Sequence, residues 1–208
     1  DKFIGDALMC FFGVPIRNKI HPYEATLTAY QMQQRLIKIN ERGKKQGLPP
    51  LGMRIGVNSG KVVAGNMGTD TLFNYTIMGD CVNLGARLES VNKFYGTSII
   101  IGETTYQEVY EHFHTRKLDK IRVKGKSKAI FIYELLAPKG EVSPEKLRNV
   151  RAYEEAFEAY QQQNFSDAIN ILNKLVKSGN SDVAVNLLQN RCKEYDNLSP
   201  GTNWDGSY

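Results

Sequence analysis

Three short segments carry side chains of the types that handle phosphoryl groups. Lys2-Phe3-Ile4-Gly5-Asp6 sets a cation and a carboxylate around a Gly-Asp pair. A carboxylate is a hard oxygen ligand suited to Mg²⁺ or Mn²⁺. Gly-Asp is also a common turn dipeptide, so that segment alone reads first as an ordinary surface hairpin. The second segment runs from Asn74-Tyr75-Thr76 through Gly79-Asp80 to Asn83-Leu84-Gly85-Ala86-Arg87. Asn83 and Arg87 stand four apart, on one face of any helix that contains both. The planar fork of Arg suits phosphate oxygens; an isolated Asn/Arg pair is otherwise a solvated polar stripe. The third is Val123-Lys124-Gly125-Lys126, with Lys128 close behind. It fits a small anionic ligand, or a plain basic turn.

These residues need elements to position them. Strand-like runs at 2–4 and 7–12 are separated by Gly5-Asp6, and glycine at the first central position suits a two-residue II′ turn. Apolar residues Ala25, Leu27, Ala29, Met32, Leu36 and Ile39 recur at helical spacing over 22–45, ending at Gly47 and Pro49-Pro50. Strands are predicted at 53–57 and 61–64, bracketing Asn58-Ser59-Gly60, and at 73–78. A helix follows at 82–94, a strand at 97–101, a helix at 104–113, and strands at 117–123 and 129–136. Helices interspersed with hairpins, without strict βαβ alternation, give an α+β fold. Pro138, Gly140 and Pro144 mark a boundary, placing a first unit at 1–137, a linker at 138–150 and a helical tail at 151–208. The tail's stripes, from Tyr153 to Leu175, break at Gln163-Asn164 and read as a helix pair. That pair resembles one tetratricopeptide-like unit, and because a solenoid needs about three repeats, the tail is expected to pack on another surface.

Composition narrows the function classes. At 208 residues with 41% hydrophobic residues the chain can bury a core. Its longest apolar stretches, 7–14 and 130–137, fall short of the roughly 20 residues a membrane span requires, so no direct membrane contact is expected. Cys10, Cys81 and Cys192 are odd in number and widely spaced, which fits neither a disulfide framework nor a zinc site and suits a reducing cytosol. The net charge of +5 is spread along the chain, so nucleic acid is not the expected partner. The chain opens at Asp1, without an initiator Met or a signal peptide, and the expectation is that something upstream has been removed.

Taken together, in order and spacing, the segments over 1–137 resemble class III adenylate and guanylate cyclases. Arg54-Ile55-Gly56-Val57-Asn58-Ser59-Gly60, followed by Gly65-Asn66-Met67-Gly68, is similar to the family's central hairpin region, with Asn58 where many members carry His. The resemblance implies a ferredoxin-like core and a reaction in which the ribose 3′-hydroxyl attacks the α-phosphate and pyrophosphate leaves. It implies that Asp6 binds metal, within a site for two divalent cations, Mg²⁺ or Mn²⁺. It further implies that Arg87 stabilises the transition state, Asn83 orients the ribose, Lys124 binds the terminal phosphates, and Lys2 with Thr76 selects the purine. Sites at the interface of a homodimer follow from the same resemblance, as does a role in intracellular signalling through cyclic AMP. The terminal Asn203-Trp204-Asp205-Gly206 is similar to the extension of CHASE2-type receptor cyclases, which implies a cytoplasmic domain of a larger membrane-bound protein.

Adenine offers an acceptor at N1 and a donor at N6, and guanine reverses both. Lys2 therefore favours ATP, whereas Thr76 can accept or donate and permits ATP without requiring it. The family's other metal-binding Asp lies on an earlier strand, upstream of Asp1, so the chain by itself is expected to be inactive or to dimerise improperly. The alternatives are a guanylate cyclase, a degenerate cyclase domain that binds a nucleotide or partner without turnover, and a helical interaction protein. The last leaves the first two-thirds of the chain unexplained, and the joint presence of Asp6, Asn83, Arg87 and Lys124 favours an enzyme.

Overall fold

The computed structural model describes residues 1–69, 71, 73–122 and 128–207. Its centre is a four-stranded sheet of β3 (Ile55–Val57), β6 (Ile99–Gly102), β8 (Ile130–Pro138) and β7 (Phe113–Ile121), in that order. β3 and β6 run parallel; β6 with β8 and β7 with β8 are antiparallel. β6 is apolar and buried along its whole length because both faces of the sheet are covered. Alternation along the strand assigns its residues to opposite sides. Ile99 and Ile101 meet α1 (His21–Lys45) and α3 (Glu103–Val109) through Ala29, Tyr23, Val109 and Tyr106. Ile100 instead faces Leu84 and Leu88 of α2 (Asp80–Tyr95) and the C-terminal helices.

Those helices are three, not the expected pair: α4 (Pro144–Gln161), α5 (Phe165–Lys177) and α6 (Val183–Asn197). Helix α4 begins inside the stretch read as a linker, with Ser143 capping it by accepting from the Lys146 N–H at 3.2 Å. The tail's surface is the sheet itself. Tyr153, Phe157, Leu172 and Leu188 belong to the same buried cluster as Leu84, Leu88, Leu118 and Ile132. Polar groups are matched at this junction too: the Tyr153 hydroxyl donates to the Leu118 carbonyl (2.8 Å) and the Lys117 N–H to Glu154 (2.7 Å). Helix α6 escaped the sequence reading because its buried face carries Arg191, which interrupts the apolar stripe. Its guanidinium meets Asp119 and Tyr95, residues far away in sequence.

Two antiparallel hairpins stand apart from this sheet among the described residues: β1 (Lys2–Ile4) with β2 (Ala7–Met9), and β4 (Val63–Gly68) with β5 (Phe73–Met78). The first has the two-residue turn expected from Gly5-Asp6. Gly5 sits at φ +63°, a backbone conformation that costs glycine little, while Asp6 does not. The strands read around Asn58-Ser59-Gly60 do not form a hairpin with each other. β3 joins the central sheet and β4 pairs with β5, and the Asn58 side chain ties the intervening chain to the start of α2. The helix expected over 104–113 also ends early. Phe113 opens β7, opposite Pro138, and is buried against the α1 side of the sheet.

Candidate active site

Helix α2 carries Asn83 and Arg87, and its placement is fixed at three levels. At its start, Asn58 Nδ2 donates to the Cys81 carbonyl at 2.9 Å. In the middle, Gly56 of β3 lets the helix approach so closely that a Cβ there would lie 2.2 Å from the Gly85 carbonyl oxygen. Asn92 Nδ2 donates to the Ile55 carbonyl at 3.0 Å, across the same seam. At its end, the Tyr95 hydroxyl donates to the buried carboxylate of Asp119, which also receives Arg191. Burial raises the Tyr95 pKa well above its ordinary value, so this phenol stays a donor. The Arg191 guanidinium is held charged by the Asp119 carboxylate against the opposing effect of burial.

With the helix so held, Asn83 and Arg87 line one shallow groove of about 560 Å³, bounded across from them by Ile121 and Arg122 at the end of β7. A second depression, of about 500 Å³, lies at the other end of α2 beside Asn92 and Gly96, away from these side chains. Residues 123–127 follow Arg122, and Lys124 therefore lies outside the described residues. Arg122 pairs with Asp205 at 2.9 Å, and Lys120 donates to the Asp205 carbonyl. The terminal segment thus ends beside the groove, anchored by Trp204 among Tyr160, Phe165 and Tyr195. Sequence reasoning missed Arg122 and Asp205, since their pairing joins positions 83 residues apart.

The other candidates lie on the hairpins. Lys2 on β1 and Thr76 on β5 are brought together by Asp1: its Oδ1 lies 3.5 Å from Lys2 Nζ and its Oδ2 accepts from the Thr76 hydroxyl. Asp6 is exposed at the hairpin tip and is not among the residues lining the Asn83–Arg87 groove. Among the described residues no cluster of three or more His, Cys, Asp or Glu side chains could hold a metal ion. Asp6 can supply one hard oxygen to a divalent cation, which takes about six or more oxygen ligands in all.

The order of these segments finds direct counterparts. Residues 2–136 match the family model described as the Adenylate and Guanylate cyclase catalytic domain. The chain belongs to the class III adenylate and guanylate cyclases. It is 33% identical over 135 residues to adenylate cyclase 1 of Rhizobium meliloti, covering 65% of this chain and 20% of that protein. It is 38% identical over 144 residues to the adenylate cyclase of Anabaena cylindrica, covering 66% of this chain and 28% of that protein. The chain thus spans about a quarter of the length of these curated relatives. Among solved structures it is similar to the adenylyl cyclase CyaB from P. aeruginosa, with 33% identity and a TM-score of 0.61 over 69% of this chain and 74% of that one. The mixed α+β fold of this cyclase domain agrees with these structures. No helix among the described residues is long and apolar enough to cross a membrane.

Proposed function

We propose that this cyclase domain converts ATP to 3′,5′-cyclic AMP and pyrophosphate. The observation that carries the choice of ATP is the meeting of the Lys2 ammonium and the Thr76 hydroxyl, from two separate hairpins, on one carboxylate. An ammonium can donate to adenine N1, whereas guanine presents a donor there. In the reaction the ribose 3′-hydroxyl gives up its proton to solvent, its oxygen bonds to the α-phosphorus, and the bond to pyrophosphate breaks with its electron pair leaving on pyrophosphate. Asn83 orients the ribose, Arg87 offsets the charge that builds on the phosphoryl oxygens, and Lys124 holds the terminal phosphates. Asp6 would serve as one ligand of two divalent cations, Mg²⁺ or Mn²⁺, whose charge would further neutralise the phosphates.

A homodimer with its sites at the subunit interface is part of the same reading. The hairpins leave Phe3, Leu8, Val63, Phe73 and Met78 each at least half exposed, and a second copy of the chain is the occupant that a family sharing its sites between subunits calls for. The test is an assay of the intact protein with ATP and GTP under identical metal conditions. ATP is the expected substrate, and Lys2→Glu should weaken the preference. Turnover of GTP equal to or above that of ATP would sink the adenine assignment.

A further inference from the structure

The Lys2 and Thr76 side chains do not meet by direct contact; a third residue joins them. The Asp1 side chain is 1% exposed although it sits at the edge of a hairpin whose strand residues are otherwise largely open to solvent. Its two oxygens are divided, Oδ1 toward Lys2 Nζ at 3.5 Å and Oδ2 accepting from Thr76 Oγ1 at 2.5 Å. The terminal ammonium of Asp1 donates to the Met9 carbonyl at 2.9 Å, just beyond the last pair of the β1–β2 ladder, Lys2 with Met9.

This arrangement removes an ambiguity that residue types leave open. A threonine hydroxyl can donate or accept, so by itself it tolerates either purine. An ionised carboxylate only accepts, so a hydroxyl bound to it must donate its one proton there. What Thr76 then offers a ligand is its oxygen lone pairs, and these suit the N6 amino group of adenine and oppose the O6 carbonyl of guanine. Lys2 carries three N–H donors, and giving one to Asp1 leaves two for N1. We propose that Asp1 is a specificity-determining positioning residue, which fixes Thr76 as an acceptor and Lys2 as a donor and so sets the pair to the polarity of adenine. The inference rests on the adenylate cyclase reading above.

The measurement is the ratio of kcat/KM for ATP to that for GTP, in the intact protein and its variants. In Asp1→Asn the amide can donate to Thr76, freeing the hydroxyl proton for guanine O6, and the ratio should fall about tenfold or more, within the range set by reversing one polar contact to the substrate. A merely structural role would lower both activities together and leave the ratio alone. In a Thr76→Val background, where no hydroxyl remains to be oriented, Asp1→Asn should change the ratio much less, and Asp1→Glu should restore part of it in the wild-type background. Should Asp1→Asn abolish turnover, the ratio of dissociation constants for α,β-methylene-ATP and α,β-methylene-GTP, read by calorimetry, carries the same comparison. A wild-type ratio near one removes the adenine reading and this inference with it. A high wild-type ratio that survives Asp1→Asn, or one that falls equally with Thr76→Val present, overturns this inference alone.

Discussion

The β1–β2 hairpin and helix α2 carry the two halves of the candidate site, and they are held in opposite ways. On the hairpin, Phe3 is 81% exposed and every β1 residue faces solvent; its geometry comes from a two-residue turn and a short ladder. Helix α2 buries Leu84, Leu88 and Tyr95 in a cluster that also takes in the C-terminal helices, and its polar anchors come from β3 and β7. Substitutions on the hairpin should therefore change chemistry while sparing the fold. Those beneath α2 should reach the chemistry through the fold.

The sharpest way to break this contrast lies at Asp119. Removing its carboxylate by Asp119→Ala takes the counter-charge from the buried Arg191 guanidinium and the acceptor from Tyr95. Loss of one partner of a buried pair costs about 3–5 kcal/mol, and the melting temperature should fall by roughly 10 °C at about 2–4 °C per kcal/mol. If denaturant unfolding shows Asp119→Ala as stable as wild type, the tail is not coupled to α2 through this network.

Next in size are the groove and the hairpin tip. Arg87→Ala should lower kcat on the order of 10²-fold or more, as for other lost charge-stabilising donors, with stability within about 0.5 kcal/mol of wild type. Asp6→Asn should nearly abolish turnover with the same neutrality toward folding. Mixing the two inactive variants sharpens the comparison, because the proposed interface sites would put Asp6 and Arg87 of one chain in different sites. With free exchange about half of the dimers are mixed, each has one site free of both substitutions, and activity should return to roughly a quarter of wild type. No recovery, with exchange verified separately, would place both residues in one chain's site.

The smallest effect concerns the terminal clasp beside the groove. Hydrogen bonds from the Ser207 hydroxyl and backbone N–H, helped by Arg122, lower the Asp205 pKa from 3.8 to about 2. A carboxyl held below its ordinary value contributes while ionised: its contribution is complete above the ordinary value and fades as pH falls through about 2. Trp204 is the sole tryptophan, so its emission reports the clasp. Emission should shift between about pH 4 and pH 2, and Asp205→Asn should remove that dependence while far-UV circular dichroism stays unchanged. An identical titration in the variant would separate the clasp from Asp205.

What the sequence determined by itself is whatever rests on neighbours along the chain. The Gly5-Asp6 turn, the pairing of Asn83 with Arg87 on one helical face and the α+β alternation of elements all follow from local spacing, and the order of the motifs was enough to indicate the family. Tertiary structure decided the rest. Lys2 and Thr76 meet through a carboxylate 75 positions from the threonine, β3 leaves β4 for β6, and α6 can bury Arg191 because it finds Asp119. A side chain's charge and shape are written in the sequence, but the partner that makes its burial favourable comes from a distant strand and is fixed only when the sheet closes.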